Sequence, residues 1–580
     1  MLWSHLYGKT CRMAWYIALI LSLLLTTGGV VTAQETPLII VPDRAFYHPG
    51  EPVQLQVTAI QNGQLEVTIS FLAETVAVLH TELTGGHAYL SFTPPEAAPR
   101  GYGVDAVLRN DQGEILAQAT TAFDVLDRWI QAPRYGFLSD FGPDRPDIDS
   151  TLDALLPYHI NGLQFYDWQY RHAELLPPTE IYSDVLGRTL SMQTVSRLIE
   201  AAHARHIAAM PYTAIYGAAP EFFAQHPDWG LYDAAGKPYD FGNGFLKIMN
   251  PAPESPWTAH LLDQFAHLLD ATGFDGIHLD QYGAPKIGYA ASGERIDLAE
   301  AFPAFIDAMA AIIREKRGTE GIAIFNAVGN WPVDTVAPSD EDAVYIEVWT
   351  PYTRFTDLHR IVVQAQALGG NKPVIIAAYI PPEQATNVRL ANAMIFASGG
   401  VHLELGEPNA MLADPYFPQY GLMDDSLQQV MARYYHFLVR YENLLQLESV
   451  DATAERASAL TLPAVKTTGL RSEDRVVVVV RKGAQFEAFS LINLLDIGGS
   501  RWDQAVRNAP TPLQDQMAHL TVERPVKALY WASPDNDSLA LHPLQFESDQ
   551  NGNLTFTLPT LAYWNLVFVE YADTNPGDQT

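Results

Sequence analysis

The spacing of apolar and polar residues changes along the chain and divides it into predicted domains. Between 34 and 128, apolar residues alternate with polar ones in short runs such as 53–57, which is the period of a β-strand with one buried face. Turn signals, for example the Asn-Gly pair at 62–63, separate the runs. Several short strands within about 95 residues predict an immunoglobulin-like β-sandwich.

From 129 to 448 the pattern alternates between strand and helix. The predicted strands are 134–141, 160–168, 208–216, 276–282, 322–327, 343–349, 373–379 and 393–405. Helical patterns at 192–205, 257–271 and 298–316 lie between some of them, and a helix near 426–447 ends the region. Eight strands alternating with helices predict a central (β/α)8 TIM barrel. The alternative, an open doubly wound sheet, lacks support because no glycine-rich phosphate loop follows the first strand.

Between 449 and 580 the β-pattern returns. Strand-like runs occur at 476–481, 486–491, 554–558 and 564–570. They predict a C-terminal antiparallel β-sandwich domain. The predicted fold is therefore multidomain α/β, with the barrel flanked by two β-domains.

The N-terminal segment 1–33 has the pattern of a secretory signal peptide. Lys9 and Arg12 precede an apolar run at 14–25, and small residues follow it up to Ala33. An uncleaved anchor is the alternative, but the run is shorter than a typical spanning helix. The only cysteine, Cys11, lies in this segment, so the processed protein would contain no disulfide. We therefore expect a bacterial-type, secreted extracellular protein.

The charge balance restricts the partners. The chain has 35 Lys+Arg against 67 Asp+Glu, a formal net charge of −32, which repels phosphate backbones and anionic lipids. Nucleic acid is therefore excluded as a partner, whereas a neutral polysaccharide is compatible. We expect a monomer without stable membrane insertion after signal removal. The chain has no histidine or cysteine spacing typical of zinc sites and no Gly-x-Ser-x-Gly motif, so we expect no metal or cofactor and no serine hydrolase.

Polar or aromatic residues end most of the predicted barrel strands: Asp140, Asp167, Tyr216, Asp280, Asn326, Glu347, Tyr379 and Glu404. In a barrel these ends converge on one face. Asp280, a short acid on a rigid strand, is the candidate nucleophile of a retaining glycosidase. Glu347 lies beside Ile346, Val348 and Trp349, which can raise its pKa, and is the candidate acid/base. From the residues alone, a structural role at the barrel mouth is equally open for both acids.

Aromatic side chains beside acids and amides suit sugars, because the C–H faces of a sugar stack on rings while its hydroxyls bind polar groups. The candidate sugar contacts are Tyr166, Asp167, Trp168, Tyr212, His278, Asn326 and Trp349. For His278, two residues before Asp280, a contact with a sugar hydroxyl and a place in the core remain equally open.

Several segments together resemble glycoside hydrolase family 66, the dextranase and cycloisomaltooligosaccharide glucanotransferase family. They are Gln164-Phe165-Tyr166-Asp167-Trp168, Gly273-Phe274-Asp275-Gly276-Ile277-His278-Leu279-Asp280, 211–217, 325–328, 345–349, 396–400, 402–407 and 434–442. The resemblance implies a β-sandwich, a (β/α)8 barrel and a C-terminal β-domain. It also implies a retaining mechanism, with Asp280 as nucleophile and Glu347 as acid/base.

One departure from the family pattern affects the predicted activity. Family members that make cyclic isomaltooligosaccharides usually carry a carbohydrate-binding module within the barrel, and the longest gap between predicted strands here, 217–275, is too short for one. We therefore expect endo-hydrolysis of the α-1,6 linkages of dextran and isomaltooligosaccharides. The alternatives are a cycloisomaltooligosaccharide glucanotransferase that uses the same residues and a non-catalytic glucan-binding protein on a decayed barrel.

Overall fold

The computed structural model describes residues 38–95, 99–414, 419–468, 474–550 and 552–572. The predicted signal peptide, 1–33, and Cys11 within it lie outside the described residues. Among the residues that are described, no helix combines the length and the apolar character needed to span a bilayer.

Eight strands in the middle of the chain pair side by side in sequence order, and every pair of neighbours is parallel. Their bounds are Tyr135–Leu138, Gly162–Phe165, Ala208–Ala214, Gly276–Asp280, Ile322–Val328, Ala343–Glu347, Val374–Ala377 and Gly400–His402. A short strand, Leu405–Gly406, follows the eighth and pairs in parallel with the first through Gly406 and Phe137. This pairing joins the two ends of the curled sheet, which fits a barrel-like domain.

Helices follow most of these strands. Their bounds are Ile148–Asp153, Met192–His203, Pro220–Gln225, Pro256–Ala271, Leu298–Arg317, Val333–Val336, Phe355–Leu368, Ala385–Ala397 and Asp425–Arg440. Met192–His203 illustrates the pattern: Val195, Leu198 and Ile199 are buried on one side, and the Ser191 hydroxyl accepts a hydrogen bond from the backbone of the first turn. The strands and helices are apolar where they meet, so a core of buried side chains lies between the curled sheet and the helices outside it.

The eighth strand is shorter than predicted. Residues 393–397 of the predicted strand 393–405 belong to the helix Ala385–Ala397, and the strand covers only Gly400–His402. A continuous apolar run has the same appearance in a buried helix and in a buried strand, so its periodicity does not separate the two. Gly399, with φ of +80°, ends the helix before the strand begins. Likewise, the predicted helix 426–447 is Asp425–Arg440 followed by one π-helical turn, Asn443–Leu447.

Short strands occur in the loops after the second, third and fourth barrel strands. Two more follow the strand Leu405–Gly406 at the edge of the sheet. They are Ile181–Ser183, Thr189–Ser191, Gly217–Ala218, Asp240–Phe241, Leu246–Ile248, Ile287–Tyr289, Arg295–Asp297, Ala410–Leu412 and Tyr420–Leu422. These loops rise above the carboxyl ends of the parallel strands, the face where barrel enzymes bind their ligands.

The N-terminal part forms two antiparallel sheets around a core of its own. Its strands are Leu38–Pro42, Val53–Ala59, Gly63–Phe71, Glu74–Leu83, His87–Phe92, Arg100–Arg109 and Ile115–Val125. Ion pairs connect it to the barrel-like domain. Arg440 of the last barrel helix contacts Asp105 at 2.8 Å, and Arg134 contacts Asp124 at 2.6 Å.

The C-terminal part also forms two sheets, with a further core. Its strands are Val450–Asp451, Leu460–Thr461, Thr467–Thr468, Val476–Lys482, Phe486–Asn493, Leu513–Leu520, Val526–Ala532, His542–Pro543, Phe546–Ser548, Leu554–Leu561 and Trp564–Tyr571, and its helix is Thr453–Arg456. The Arg481 guanidinium donates to the Ser398 carbonyl of the barrel-like domain at 3.2 Å. The protein is thus multidomain and rich in β-structure. The domain boundaries at 128 and 448 stay predictions.

Candidate active site

The two predicted catalytic acids lie at the ends of two barrel strands that are separated by a single strand. Asp280 is the last residue of the fourth strand and Glu347 the last of the sixth. Between them, on the fifth strand, Asn326 donates from Nδ2 to Asp280 Oδ1 at 2.8 Å and to Glu347 Oε2 at 2.8 Å. These two carboxyl oxygens are therefore no farther apart than twice that distance. The fold brings the predicted pair together with Asn326 as the link.

The surroundings of Asp280 and Glu347 favour the protonated form of a carboxyl group. Burial and the negative charge of Glu347 raise the pKa of Asp280 to about 8, although hydrogen bonds from Tyr212 and Asn326 act in the opposite direction. Burial also raises the pKa of Glu347, against hydrogen bonds from Asn326, Trp349 and Tyr379. Because two neighbouring carboxylates repel each other, the pair titrates as a unit and keeps one proton in the neutral range.

Four tyrosines surround the pair: Tyr166, Tyr212, Tyr345 and Tyr379. The rings of Tyr166 and Tyr212 stack with centroids 4.7 Å apart and an interplanar angle of 14°. Burial, reinforced by the charges of the two acids, raises the pKa of all four phenols well above the usual value. They therefore stay neutral and can donate hydrogen bonds. Tyr345 and Tyr379 are not among the predicted sugar contacts. Tyr379 is predicted to end its strand, but that strand ends at Ala377, two residues earlier.

Trp349 contributes both a hydrogen bond and an exposed ring. Its Nε1 donates to Glu347 Oε1 at 3.0 Å, and its side chain is 40% exposed. The ring centroid lies 6.0 Å from that of Tyr379. A ring in this position can orient the carboxyl group and at the same time offer an apolar surface to a sugar.

Replacing Trp349 by Phe separates these two contributions. The variant keeps a ring but loses the Nε1 donor, which stabilises the ionised form of Glu347, so we expect the pKa of Glu347 to rise and kcat to fall about 5- to 30-fold. The alkaline limb of the pH–rate profile should move to higher pH. Trp349→Ala is the matched comparison and should raise KM in addition, since the ring is lost too. An unchanged pH profile in Trp349→Phe would contradict the role of the indole donor.

Asp167, which follows Tyr166 in the sequence, has a left-handed backbone conformation, with φ of +52°. Burial raises its pKa to about 6. The Arg188 guanidinium donates to the Asp167 carbonyl oxygen at 2.9 Å and lies 4.0 Å from Oδ2. Arg188 was not predicted from the sequence, because its contact with Asp167 spans a loop whose path the residue pattern does not reveal.

Trp168 does not face the site. Its side chain is fully buried, and its ring packs against Phe274 with a centroid distance of 5.0 Å. The prediction that Trp168 contacts sugar is therefore corrected to a core position. The physical reason is the left-handed turn at Asp167, which interrupts the strand and directs the next side chain away from Tyr166.

His278 belongs to the layer below the acids. It is fully buried, its Nδ1 lies 3.1 Å from the Tyr135 hydroxyl, and its ring meets Tyr212 and Tyr345 edge-on at 4.8 and 4.6 Å. Burial lowers its pKa to about 3, so the imidazole is neutral. Of the two interpretations left open for His278, the structure supports the core histidine. It supports the Tyr212 and Tyr345 rings from beneath.

Glu404, another predicted strand-end acid, does not join the pair. It accepts hydrogen bonds from Asn392 at 2.7 Å and from the Tyr435 hydroxyl at 3.1 Å, both on surrounding helices. Asp275 likewise has a structural role, because it accepts from the backbone of Ala209 at 2.7 Å. Within the described ranges, no cluster of three or more histidine, cysteine, aspartate or glutamate side chains could hold a metal ion.

Comparison with known proteins identifies the family. The family model for glycosyl hydrolase family 66 matches residues 42–568. A cycloisomaltooligosaccharide glucanotransferase from Niallia circulans is 25% identical over 92% of this chain and 72% of its own length. A dextranase from Streptococcus salivarius is 23% identical over 81% of this chain and 67% of its own length.

A solved structure supports the fold. The crystal structure of a Paenibacillus sp. cycloisomaltooligosaccharide glucanotransferase, complexed with cycloisomaltoheptaose, matches with a TM-score of 0.85 and 24% identity, over 91% of this chain and 99% of that one. The shared fold extends over nearly the whole described chain, and the family model covers the same region. The chain belongs to glycosyl hydrolase family 66.

Proposed function

We propose that the protein is an endo-dextranase that hydrolyses α-1,6-glucosidic linkages with retention of configuration. One observation carries the proposal: a single amide nitrogen, Nδ2 of Asn326, donates at 2.8 Å to each of the two acids. Retaining glycosidases hold their carboxyl groups about 5–5.5 Å apart, whereas inverting enzymes leave about 6.5–9.5 Å for a water molecule. The Asp280 and Glu347 oxygens that accept from Asn326 can be at most twice 2.8 Å apart. This short separation supports the retaining arrangement.

In the proposed first step, a carboxylate oxygen of Asp280 attacks the anomeric carbon as the bond to the glycosidic oxygen breaks. Glu347 transfers its proton to that oxygen, so the leaving chain departs with a hydroxyl group. The sugar is then held as an ester of Asp280. In the second step Glu347 removes a proton from water, whose oxygen attacks the same carbon and releases Asp280 as a carboxylate. Each step inverts the configuration of the anomeric carbon, so the product has the configuration of the substrate.

The segment between the third and fourth barrel strands supports hydrolysis over cyclisation. It contains the helices Pro220–Gln225 and Pro256–Ala271 and three short strands, which leaves no stretch for an inserted module. The rival function, cycloisomaltooligosaccharide glucanotransferase, uses the same two acids and replaces water by a sugar hydroxyl. It is favoured by the names of two relatives.

Incubation with dextran, followed by product analysis, tests the proposal. We expect a rapid fall in viscosity, linear isomaltooligosaccharides, and the α-anomer as the first product seen by NMR. Cyclic or elongated products would establish the transferase, and an initial β-anomer would refute retention. Absence of reducing-sugar release from dextran and other α-glucans would favour the non-catalytic glucan-binding protein. The Asp280→Asn protein is the control for contaminating activity.

The raised pKa values predict activity centred near neutral pH. We expect a bell-shaped profile of kcat/KM, with an alkaline limb near pH 8, where the pair loses its last proton and no general acid remains. Toward low pH both acids become protonated and no nucleophile remains. Initial rates of reducing-sugar release, measured from about pH 4 to about pH 10, give the profile. Rates that keep rising above about pH 9 would contradict this assignment of the proton.

The proposal includes the architecture and the location. We propose a (β/α)8 barrel at 129–448, an immunoglobulin-like sandwich at 34–128 and a C-terminal sandwich at 449–580. Support comes from the eight parallel strands and their joined ends. We also propose a monomeric enzyme that is secreted after removal of 1–33, where it would meet polymeric α-glucan.

A further inference from the structure

One sheet of the N-terminal domain has an outer face that is open to solvent. The sheet consists of the strands Leu38–Pro42, Val53–Ala59 and His87–Phe92, which pair in antiparallel fashion. Alternate side chains of these strands point into the core of the domain, and the others point outward. The outward side chains are Ile39, Val41, Gln54, Gln56, Thr58, His87, Tyr89 and Ser91. We call this set the outer sheet face.

The outer sheet face contains no aspartate, glutamate, lysine or arginine, although the chain as a whole has a formal net charge of −32. The second sheet of the same domain differs, because its outward positions include Glu66, Glu82, Asp105 and Arg109. Part of that second face is covered by the barrel helix that carries Arg440, which pairs with Asp105. The lack of charged groups is thus a property of the first sheet and favours a neutral ligand there.

Tyr89 lies on the middle row of this face. Its side chain is 74% exposed, more than any other aromatic side chain in the part of the chain that the structure describes. Ile39 on the same face and Ile60, directly after the second strand, are 52% and 76% exposed. Such exposed side chains contribute little to the core of their own domain. The ring therefore offers an apolar surface on which the C–H face of a sugar can stack.

Polar side chains flank the ring on both sides. Gln56 lies opposite Tyr89, and the neighbouring cross-strand pairs are Gln54 with Ser91 and Thr58 with His87. The Gln54 amide donates to the Ser91 hydroxyl at 2.8 Å, and the Thr58 hydroxyl lies 3.4 Å from Nδ1 of His87. Successive rows of this kind are about 6.8 Å apart along a strand. Amide, hydroxyl and imidazole groups are thus held beside the ring before a ligand arrives, which reduces the cost of ordering them.

The N-terminal domain contacts the end of the barrel that lies opposite the acids. Arg134, which pairs with Asp124 of the N-terminal domain, directly precedes the first barrel strand. The backbone of Ala45 donates at 2.9 Å to the carbonyl of Arg205, which precedes the third strand. The acids, in contrast, are the last residues of their strands. The outer sheet face is therefore separate from the catalytic face of the barrel.

We propose that the outer sheet face is a second glucan-binding site, which holds a chain of the polymer on the N-terminal domain while another chain or segment is cleaved in the barrel. Tyr89 supplies the stacking surface, and the amide and hydroxyl groups beside it bind sugar hydroxyls. The inference rests on the proposed function for the identity of the glucan. It goes beyond that function because it gives a binding role to a domain that contributes neither of the proposed catalytic acids.

Affinity electrophoresis of the full chain through gels that contain dextran tests the site. The Asp280→Asn background prevents digestion of the gel. We expect Tyr89→Ala to raise the apparent Kd for dextran about 5-fold or more, the effect of losing one aromatic stacking surface. Tyr89→Phe keeps the ring and should bind nearly as the parent does. Val78→Ala, which shortens an exposed side chain on the second sheet of the same domain, is the matched control and should change nothing.

Activity on short substrates separates this site from the catalytic one. In the otherwise unaltered enzyme, Tyr89→Ala should leave kcat/KM on short isomaltooligosaccharides within about twofold of the parent value, since these ligands reach the acids without the N-terminal domain. A loss of kcat/KM as large as the loss of dextran binding would overturn the second site. Equal dextran binding by Tyr89→Ala and the parent would overturn it too, as would an equal loss in Val78→Ala.

Two further outcomes have a definite meaning. If analytical ultracentrifugation showed a dimeric parent and a monomeric Tyr89→Ala variant with unchanged dextran binding, the face would be an interface between copies of the chain and the glucan site would be overturned. The hydrolytic function is tested independently, by sugar release from dextran with the unaltered enzyme. Absence of release together with binding that depends on Tyr89 would refute hydrolysis and leave the second site in place.

Discussion

Replacing Asp280 by Asn is expected to lower kcat on dextran by at least ~10³-fold while the protein becomes more stable at neutral pH. The loss follows because an amide cannot form the glycosyl ester. Asn keeps the size of the side chain and an oxygen that can accept from Nδ2 of Asn326, so the site should keep its shape. An inactive but more stable variant distinguishes a catalytic acid from an acid that holds the barrel mouth together.

The gain in stability follows from the sign of the pKa shift. In the folded protein the pKa of Asp280 is raised to about 8, whereas in the unfolded chain it is about 3.9. The unfolded chain therefore releases this proton first as pH rises, and the free energy of unfolding decreases between the two values. Asn does not ionise in either state and removes this cost. We expect a gain on the order of 1–3 kcal/mol near pH 7.

Thermal unfolding and dextran turnover, measured on the same samples, test the prediction. The difference in melting temperature between Asp280→Asn and the parent should be largest near pH 7–8 and vanish below about pH 4, where the carboxyl group is protonated in both states. Asp275→Asn is the matched control. Asp275 supports the backbone of Ala209, so its replacement should weaken the fold and leave the pH profile of turnover intact. A less stable Asp280→Asn protein with near-normal turnover would refute the assignment.

The positions of the two candidate acids, Asp280 and Glu347, at strand ends could be predicted because they depend on short-range pattern. Apolar runs identify the fourth and sixth strands, and the acids come where those runs end. The side-chain period of a strand then places Asp280 and Glu347 on the inner face. Asn326 was predicted at a strand end too, but as a sugar contact; its bonds to both acids require the register between three strands.

The errors arise where the backbone leaves the regular period. Trp168 follows the left-handed residue Asp167, and the resulting turn buries its ring in the core. The helix Ala385–Ala397 was predicted partly as strand, because both kinds of buried segment are uniformly apolar. Arg188 was missed because it lies on a loop, and the path of a loop depends on contacts between residues distant in sequence.

Removing Glu347, the proposed acid/base, is expected to have an effect that depends on the leaving group. Glu347→Gln should lower kcat on dextran by at least ~10³-fold, since a glycosidic oxygen needs a proton as it departs. An aryl glycoside with an acidic phenol as leaving group needs no such proton, so its first step should continue at a rate close to that of the parent. The second step should become slow, because no base activates the water. The glycosyl ester of Asp280 should then accumulate and be seen as a mass increase of the intact protein.

A small anion is expected to restore the activity of the Glu347→Ala variant. Azide needs no base, and in Glu347→Ala it has room beside the glycosyl ester, so azide should restore turnover of the aryl glycoside and give the α-glycosyl azide. Asp280→Asn should show neither the mass increase nor the formation of this product.

If Glu347→Gln slowed the hydrolysis of dextran and of the aryl glycoside equally and no ester accumulated, Glu347 would not be the acid/base. Because the two acids share the amide of Asn326, a general disturbance of the site would affect both variants alike. If the Glu347 variants respond to the leaving group and to azide while Asp280→Asn does not, the two acids have different roles, although both bind the same amide group.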